Sequence, residues 1–446
     1  MNGRWAETLL LLYAKALRLF ARSGISQKVE RVAIFSALGP GLRAGDHVAA
    51  SIAFVLVARR FPGAEIHLVT TAFQADRFRD LYLRHMPIDR LIVCADSASA
   101  RWRDRISLWR TIRGMRFDAC VQDSRDTRLS PFFAHLCGIG MRFGLQRGLA
   151  TDAFINQRRV ALAGDWGAMT LLDMAEAYAE ALSFDPPLAR EQITPHFRLA
   201  PLEEPLAFSS RRVIVVVHPG GSRDWNRRWP QAHYAALCEQ LIRRCGAQVL
   251  IVGGDDERDD AEVIIRYVRE RCPEADMRHA CGGDLNRLAH HVARADLVVG
   301  NDSSVMHIAA GLDVPAVIVF GPTICTTWDA YRRQTSLTLG MECWRHRPTL
   351  RQDVVVGCGH GCPVAYDSAA PRYPHCMTHL SVSMVFDRCE SILAERGFRD
   401  EVEASTGGVA GEVACVDSLC RSARNASFRS LLSQTGAMSY AQSICA

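Results

Sequence analysis

Short runs of consecutive apolar residues recur along the chain, each followed by a turn and then by a stretch with helical spacing. Val32-Ala33-Ile34-Phe35 is the first run. A Gly-rich loop at 39–46 follows it, then a helix from about 47 to 60, then a second run at Ile66-His67-Leu68-Val69. Leu91-Ile92-Val93 and Ala119-Cys120-Val121 read as further strands. Runs this short, alternating with helices, predict a parallel sheet covered on both faces. The plan repeats after a stretch rich in Pro, Leu and Glu at about 199–208. Val213-Ile214-Val215-Val216-Val217 leads into His218-Pro219-Gly220-Gly221, and buried strands follow at 249–252, 297–299 and 316–320. The pattern therefore predicts two α/β domains, at 31–200 and 201–397. A segment at 1–30 precedes them. A tail at 398–446 is expected to be disordered, because it is rich in Gly, Ser, Ala and Thr and has weak apolar periodicity.

Length agrees with this division, since 446 residues exceed what one core usually fills. With 48% hydrophobic and 23% charged residues the chain reads as globular, and its net charge of +5 is mild. That charge permits contact with an anionic lipid or a phosphorylated substrate without arguing for either, and no nucleic-acid partner is expected. Sixteen cysteines are scattered along the chain, most of them in apolar runs, where a reduced thiol behaves as a small hydrophobe. With no secretion signal read before them, a reducing cytoplasm is the expected location. The opening segment has Leu9, Leu12, Leu17 and Phe20 on one side, with Lys15, Arg18 and Arg22 adding positive charge. Its longest apolar run is far below the ~20 residues that span a bilayer. It reads either as an anchor lying on a membrane surface or as a leading helix packed on the first domain.

The strongest chemical signal is the string from Gly300 through Asn301-Asp302-Ser303-Ser304-Val305-Met306-His307. A buried strand ends there and small polar residues open a helix, with Asp302 or Ser303 as its cap. The N–H groups of the first helical turn make an anion site, and His307 lies one turn further in. The alternative is a well-capped helix carrying one satisfied histidine. Two other strand ends point to the same edge of the sheet. His218-Pro219-Gly220-Gly221-Ser222 is followed by Arg227 and Arg228, whose forked donors suit phosphate. Gly253-Gly254-Asp255-Asp256-Glu257 brings carboxylates, which suit ribose or sugar hydroxyls. In the first domain Asp46 closes the Gly-rich loop and opens a helix, where the ionised carboxylate is favoured. It reads as a simple cap or as a base that takes a proton from an acceptor hydroxyl.

These residues resemble glycosyltransferase family 9, the heptosyltransferase-like enzymes of bacterial lipopolysaccharide assembly. The resemblance extends from about residue 31 to 397. It is most specific in the string from Asn301 through His307-Ile308-Ala309-Ala310-Gly311 to Pro315 and on to Phe320-Gly321-Pro322-Thr323. It implies an α/β protein of the GT-B arrangement, two Rossmann-like domains with parallel sheets facing across a cleft. It also implies an inverting reaction that needs neither metal nor cofactor, and the chain has no Asp-x-Asp string. By resemblance Asp46 is the catalytic base. The donor site falls on Ser222, Arg227, Glu257, Asp302, Ser303, Ser304 and His307. The implied partners are a nucleotide-sugar donor, ADP-heptose or another, and a glycan or lipid-linked acceptor. Three departures stand out: arginine (Arg227 or Arg228) where lysine is usual, Ser304 where glycine is usual, and a longer loop before Asp46.

Two rival readings belong beside this one, a nucleotide-sugar epimerase of similar fold and an inactive family-like scaffold protein. Near the end of the second domain, Cys343, Cys358, Cys362 and Cys376 with His346, His360 and His375 leave a further choice open. They read as a structural zinc site, as loop thiols or as a disulfide.

Overall fold

The computed structural model describes residues 28–36, 44–95, 101–122, 129–146, 150–161, 171–202, 213–221, 227–321, 331, 333–339 and 373–395. The segment 1–27, most of the loop before Asp46, Ser222, three of the four late cysteines and the tail lie outside them. The chain divides into two compact units. One comprises Met1–Pro205, His307–Asp313 and Thr326–Arg333; the other comprises Leu206–Met306, Val314–Cys325 and Gln334–Ala446.

The first unit is built on a six-stranded sheet of β1 (Arg31–Phe35), β2 (Glu65–Thr71), β3 (Arg90–Cys94), β4 (Ala119–Gln122), β5 (Met141–Gln146) and β6 (Val160–Ala161). The spatial order is β3-β2-β1-β4-β5-β6 and every pairing is parallel. The second unit holds β7 (Ile214–His218), β8 (Gln248–Gly253), β9 (Met277–Cys281), β10 (Leu297–Asn301), β11 (Ala316–Val319) and β12 (Gln334–Leu337). Its order, β12-β11-β10-β7-β8-β9, is the same doubly wound plan, again parallel throughout. In each sheet the strand order reverses beside the first strand, between β1 and β4 and between β7 and β10. Such a reversal opens a crevice beyond the carboxyl ends of the two strands.

The central strands are buried along nearly their whole length: β7 is buried at all five positions and β10 at all five. That is why they read clearly as apolar runs. Helices cover them with faces spaced at the helical period. In the second unit Tyr234, Leu237, Cys238 and Leu241 of the helix Gln231–Cys245 pack with Val385, Phe386 and Cys389 of the helix Val382–Glu395 in one core. Trp229 is fully buried in that core and donates its indole N–H to the Leu380 carbonyl at 2.9 Å. In the first unit the helix Ala44–Arg60 starts three residues earlier than its apolar spacing predicts and buries ten of its seventeen residues. Three edge strands, β6, β9 and β12, and the inner β5 escape a reading from periodicity. β12 (Gln-Thr-Ser-Leu) is only half-buried at every position. Strands at or near an edge need no continuous apolar run.

Candidate functional site

The crevice of the second sheet is organised around Glu257, which sits in the short turn Asp255–Glu257 after β8. One carboxylate oxygen accepts the Gly221 N–H at 2.7 Å, and the other accepts the Gly254 N–H at 2.9 Å. His218, at the end of β7, donates from Nε2 to the second oxygen at 3.2 Å. Its Nδ1 lies 2.9 Å from the Ser303 hydroxyl, which donates to it when the ring is neutral. Arg228 stands 3.5 Å from the first oxygen and reaches Asp260 at 3.2 Å. Burial pushes the Glu257 carboxyl upward. The hydrogen bond and charge of His218 and the two backbone N–H groups outweigh that, and hold it at about 2. It is therefore an anion at any ordinary pH.

Only glycine allows this packing. A Cβ on Gly220 would overlap the Glu257 carboxylate, and one on Gly253 would stand 2.6 Å from its oxygen. The two strand-end glycine pairs form a cradle for one buried acid. Asn301, 1% exposed at the end of β10, ties the same loop from the other side. Its amide nitrogen donates to the carbonyls of Pro219 at 2.8 Å and Gly220 at 2.9 Å. Its oxygen accepts the Trp229 N–H and the Tyr234 hydroxyl, both at 2.9 Å. All four hydrogen-bonding positions of that amide are used.

Next along the chain, Asp302 pairs with Arg227, and Ser304 begins the helix Ser304–Gly311. The Ser303 hydroxyl meets His218 rather than capping that helix, so the first-turn N–H groups keep the orientation that suits an anion. Of the two arginines before Trp229, Arg227 keeps 21% of its side chain exposed while Arg228 keeps 8%. Arg227 is the one whose guanidinium can meet a ligand, and Arg228 is locked into the carboxylates beneath. His307 is buried one turn along the helix with Nδ1 3.2 Å from the Tyr331 hydroxyl, and both residues group with the first unit.

The second sheet thus gathers Arg227, Glu257, Asp302, Ser303 and Ser304 around one crevice, while Ser222 lies outside the described residues. Asp46 occupies the first turn of the helix after β1 in the other unit and is half-buried. Three residues that hold the crevice together, His218, Arg228 and Asn301, stand in the strings picked out from the sequence but were not assigned to the donor site there. Each was visible as a polar side chain at or just beyond the end of a buried strand. Their partners were not visible, since they lie roughly 30 to 85 positions away.

The profile of glycosyltransferase family 9 (heptosyltransferase) matches residues 105–354, more than half of the chain. The chain belongs to glycosyltransferase family 9. Among curated family members, lipopolysaccharide heptosyltransferase 2 of Salmonella typhimurium is 29% identical over 230 residues. That match covers 49% of this chain and 64% of the relative, so it spans just under two thirds of the relative's length. Lipopolysaccharide heptosyltransferase 1 of Pseudomonas aeruginosa is 25% identical over 369 residues, covering 78% of this chain and 95% of that protein. The solved structure of Escherichia coli ADP-heptose LPS heptosyltransferase II aligns with a TM-score of 0.56. It shares 19% identity and covers 82% of this chain and 99% of that one. At that identity the likeness bears on fold, and it agrees with two doubly wound sheets of the GT-B class. Of the cysteines weighed as zinc ligands, only Cys376 is described. It is a buried free thiol, and no group of three or more His, Cys, Asp or Glu side chains is placed to hold a metal among the described residues.

Proposed function

We propose that this family 9 member transfers a heptose-type sugar from ADP-heptose, or a related nucleotide-sugar, to a lipopolysaccharide-type, lipid-linked glycan acceptor. The observation that carries the reading is the crevice at the β7/β10 reversal. There a partly exposed arginine, Arg227, and the start of a helix flank a loop held rigid by Glu257, His218 and Asn301. A diphosphate is the chemistry such a place suits, because both features supply donors fixed in advance of any charge that develops. The relatives' names supply the sugar and the acceptor class.

In this reading Asp46 takes the proton of the acceptor hydroxyl. The oxygen attacks the anomeric carbon from the face opposite the diphosphate, the bond from that carbon to the diphosphate oxygen breaks, and the configuration inverts. Arg227 and the N–H groups at Ser304 neutralise the departing nucleoside diphosphate, so no metal bridge is required. Asp302 aims Arg227, Ser303 sets the ring of His218, and Glu257 acts by fixing the Gly221 and Gly254 loops, since its oxygens already accept three hydrogen bonds and pair with Arg228. Ser222 and His307 complete the donor side. The acceptor places the reaction at the cytoplasmic face of the inner membrane.

The deciding experiment couples donor binding to turnover. Calorimetry with ADP-heptose should give the same affinity for wild type and Asp46→Asn. Nucleotide release with a lipid-linked acceptor should fall by about 10³-fold in the variant, the scale of a lost general base. Full activity in Asp46→Asn would remove that residue from the mechanism, and the absence of donor binding in wild type would remove the reading itself.

A further inference from the structure

The helix Trp102–Met115 of the first unit buries one of its fourteen residues, Ile112. Trp102 is 67% exposed and Ile106 39%. With the half-buried Trp109 they recur at i, i+4 and i+7, which places them on one face. Leu136 and Val93, both exposed, add apolar surface in the same unit. Beside the helix lies a recess of about 200 Å³ whose lining includes Leu108, Leu129, Phe132, Phe133 and Leu136, with Asp104 and Arg105 of the helix itself.

Around that face the charge is one-sided. Residues 101–116 contain six arginines (Arg101, Arg103, Arg105, Arg110, Arg113 and Arg116) and one acid, Asp104. Asp104 is engaged at the start of its own helix, where it accepts the Arg101 backbone N–H at 2.7 Å. Among the described residues no carboxylate pairs with Arg103, Arg105, Arg110 or Arg116. Arg103 lies over the Trp102 ring and Arg113 over Trp109, each about 5.5 Å from the ring centroid. These contacts hold one arginine head beside the exposed Trp102 ring and another beside the half-buried Trp109, whose indole N–H donates to the Leu136 carbonyl at 3.0 Å.

We propose that this face docks on the surface of an anionic phospholipid bilayer. Trp102 and Ile106 enter the headgroup layer, and Arg103, Arg110 and Arg113 lie on lipid phosphates. Exposed tryptophan bordered by arginine suits that interface, where an amphipathic ring has one side in apolar and one in polar surroundings. A second copy of the chain is a poor occupant, because it would oppose six arginines with six more. The aliphatic part of the patch, Ile106 and Leu136, offers nothing to a nucleic-acid backbone. The inference deepens the reading of a lipid-linked acceptor and rests on it for its purpose. Its test uses neither donor nor acceptor, so each can fail alone.

The full chain is pelleted with vesicles of phosphatidylcholine alone and of phosphatidylcholine mixed with phosphatidylglycerol. Binding is expected only to the anionic vesicles. Each arginine near such a surface contributes about fivefold in partition, so Arg103→Glu with Arg110→Glu should weaken binding at least about tenfold. Trp102→Ser with Ile106→Ser should weaken it too, and should abolish much of the tryptophan quenching caused by brominated lipid. Both double variants should keep the thermal unfolding midpoint of wild type. Undiminished pelleting of both would overturn the proposal, as would equal binding of wild type to the two vesicle types. So would a Trp102→Ser, Ile106→Ser variant that loses an oligomer while its partition stays the same, or a wild type that binds duplex DNA and ignores vesicles.

Discussion

The two units share one strand order, yet they treat the neighbourhood of their sheets differently. In the second unit the crevice at the strand reversal is filled with polar groups that satisfy one another: Glu257 accepts three hydrogen bonds and pairs with Arg228, and Asn301 uses its whole amide. In the first unit the most distinctive polar surface is the helix Trp102–Met115, where Arg103, Arg105 and Arg110 have no carboxylate partner among the described residues and a tryptophan faces solvent. The same topology thus supports a site whose polar groups preassemble one another and, among the described residues, a surface left without such partners. Preassembly suits recognition of a small anion with fixed geometry. An unsatisfied cationic and aromatic surface suits a large, fluid partner.

The contrast is sharpest where breaking it should cost most. Removing Glu257 as Glu257→Ala leaves Arg228, His218 and two backbone N–H groups without their anion. The expected loss is about 4 kcal/mol of stability, together with loss of donor binding. Chemical denaturation and calorimetry would measure both, and a loss below about 1 kcal/mol would mean that the network is loose. The penalty should also depend on pH. The folded carboxyl is held at about 2, below its unfolded value of about 4.3. Its contribution is therefore complete above the unfolded value and fades as pH falls toward the folded one. The stability gap between wild type and Glu257→Gln should accordingly be constant at neutral pH and narrow between about pH 4 and pH 2.

A smaller effect is expected one layer out. Asn301→Leu keeps volume but strands the Pro219 and Gly220 carbonyls, the Trp229 N–H and the Tyr234 hydroxyl, for about 3 kcal/mol. Donor affinity should fall with it, because the loop bearing Gly220 and Gly221 is no longer tied to β10. The smallest effect belongs to the other unit. Trp102→Ser should change stability by no more than about 0.5 kcal/mol, as for an exposed side chain that supports no core. If it unfolds the protein, the helix is structural and the contrast between the units disappears.

Much of this was readable before the fold was known. The central strands announced themselves because burial on both faces demands unbroken apolar runs, and the glycines at their ends marked where the backbone turns closely. The residues Asp302, Ser303, Ser304, Glu257 and Arg227 could be placed at one sheet edge for the same reason. The partnerships could not be read. Whether Arg227 or Arg228 faces outward depends on which meets Asp302 and which meets Glu257 and Asp260, and periodicity does not carry that information. The helix Trp102–Met115 escaped for a different reason: its alternation of arginine and aromatic residues fits no buried face, because most of it is not buried. β5, β6, β9 and β12 were missed since their composition is partly polar.

The glycine cradle around Glu257 has a consequence for how this protein tolerates change. Gly220 and Gly253 leave no room for a methyl group while a glutamate occupies position 257. Neither glycine can be replaced before the acid is shortened, and an acid shortened first would leave the Gly221 and Gly254 N–H groups reaching for an anion that has withdrawn. Three positions spread over almost forty residues therefore act as a single unit of variation. A library that randomises them one at a time would recover only the starting sequence.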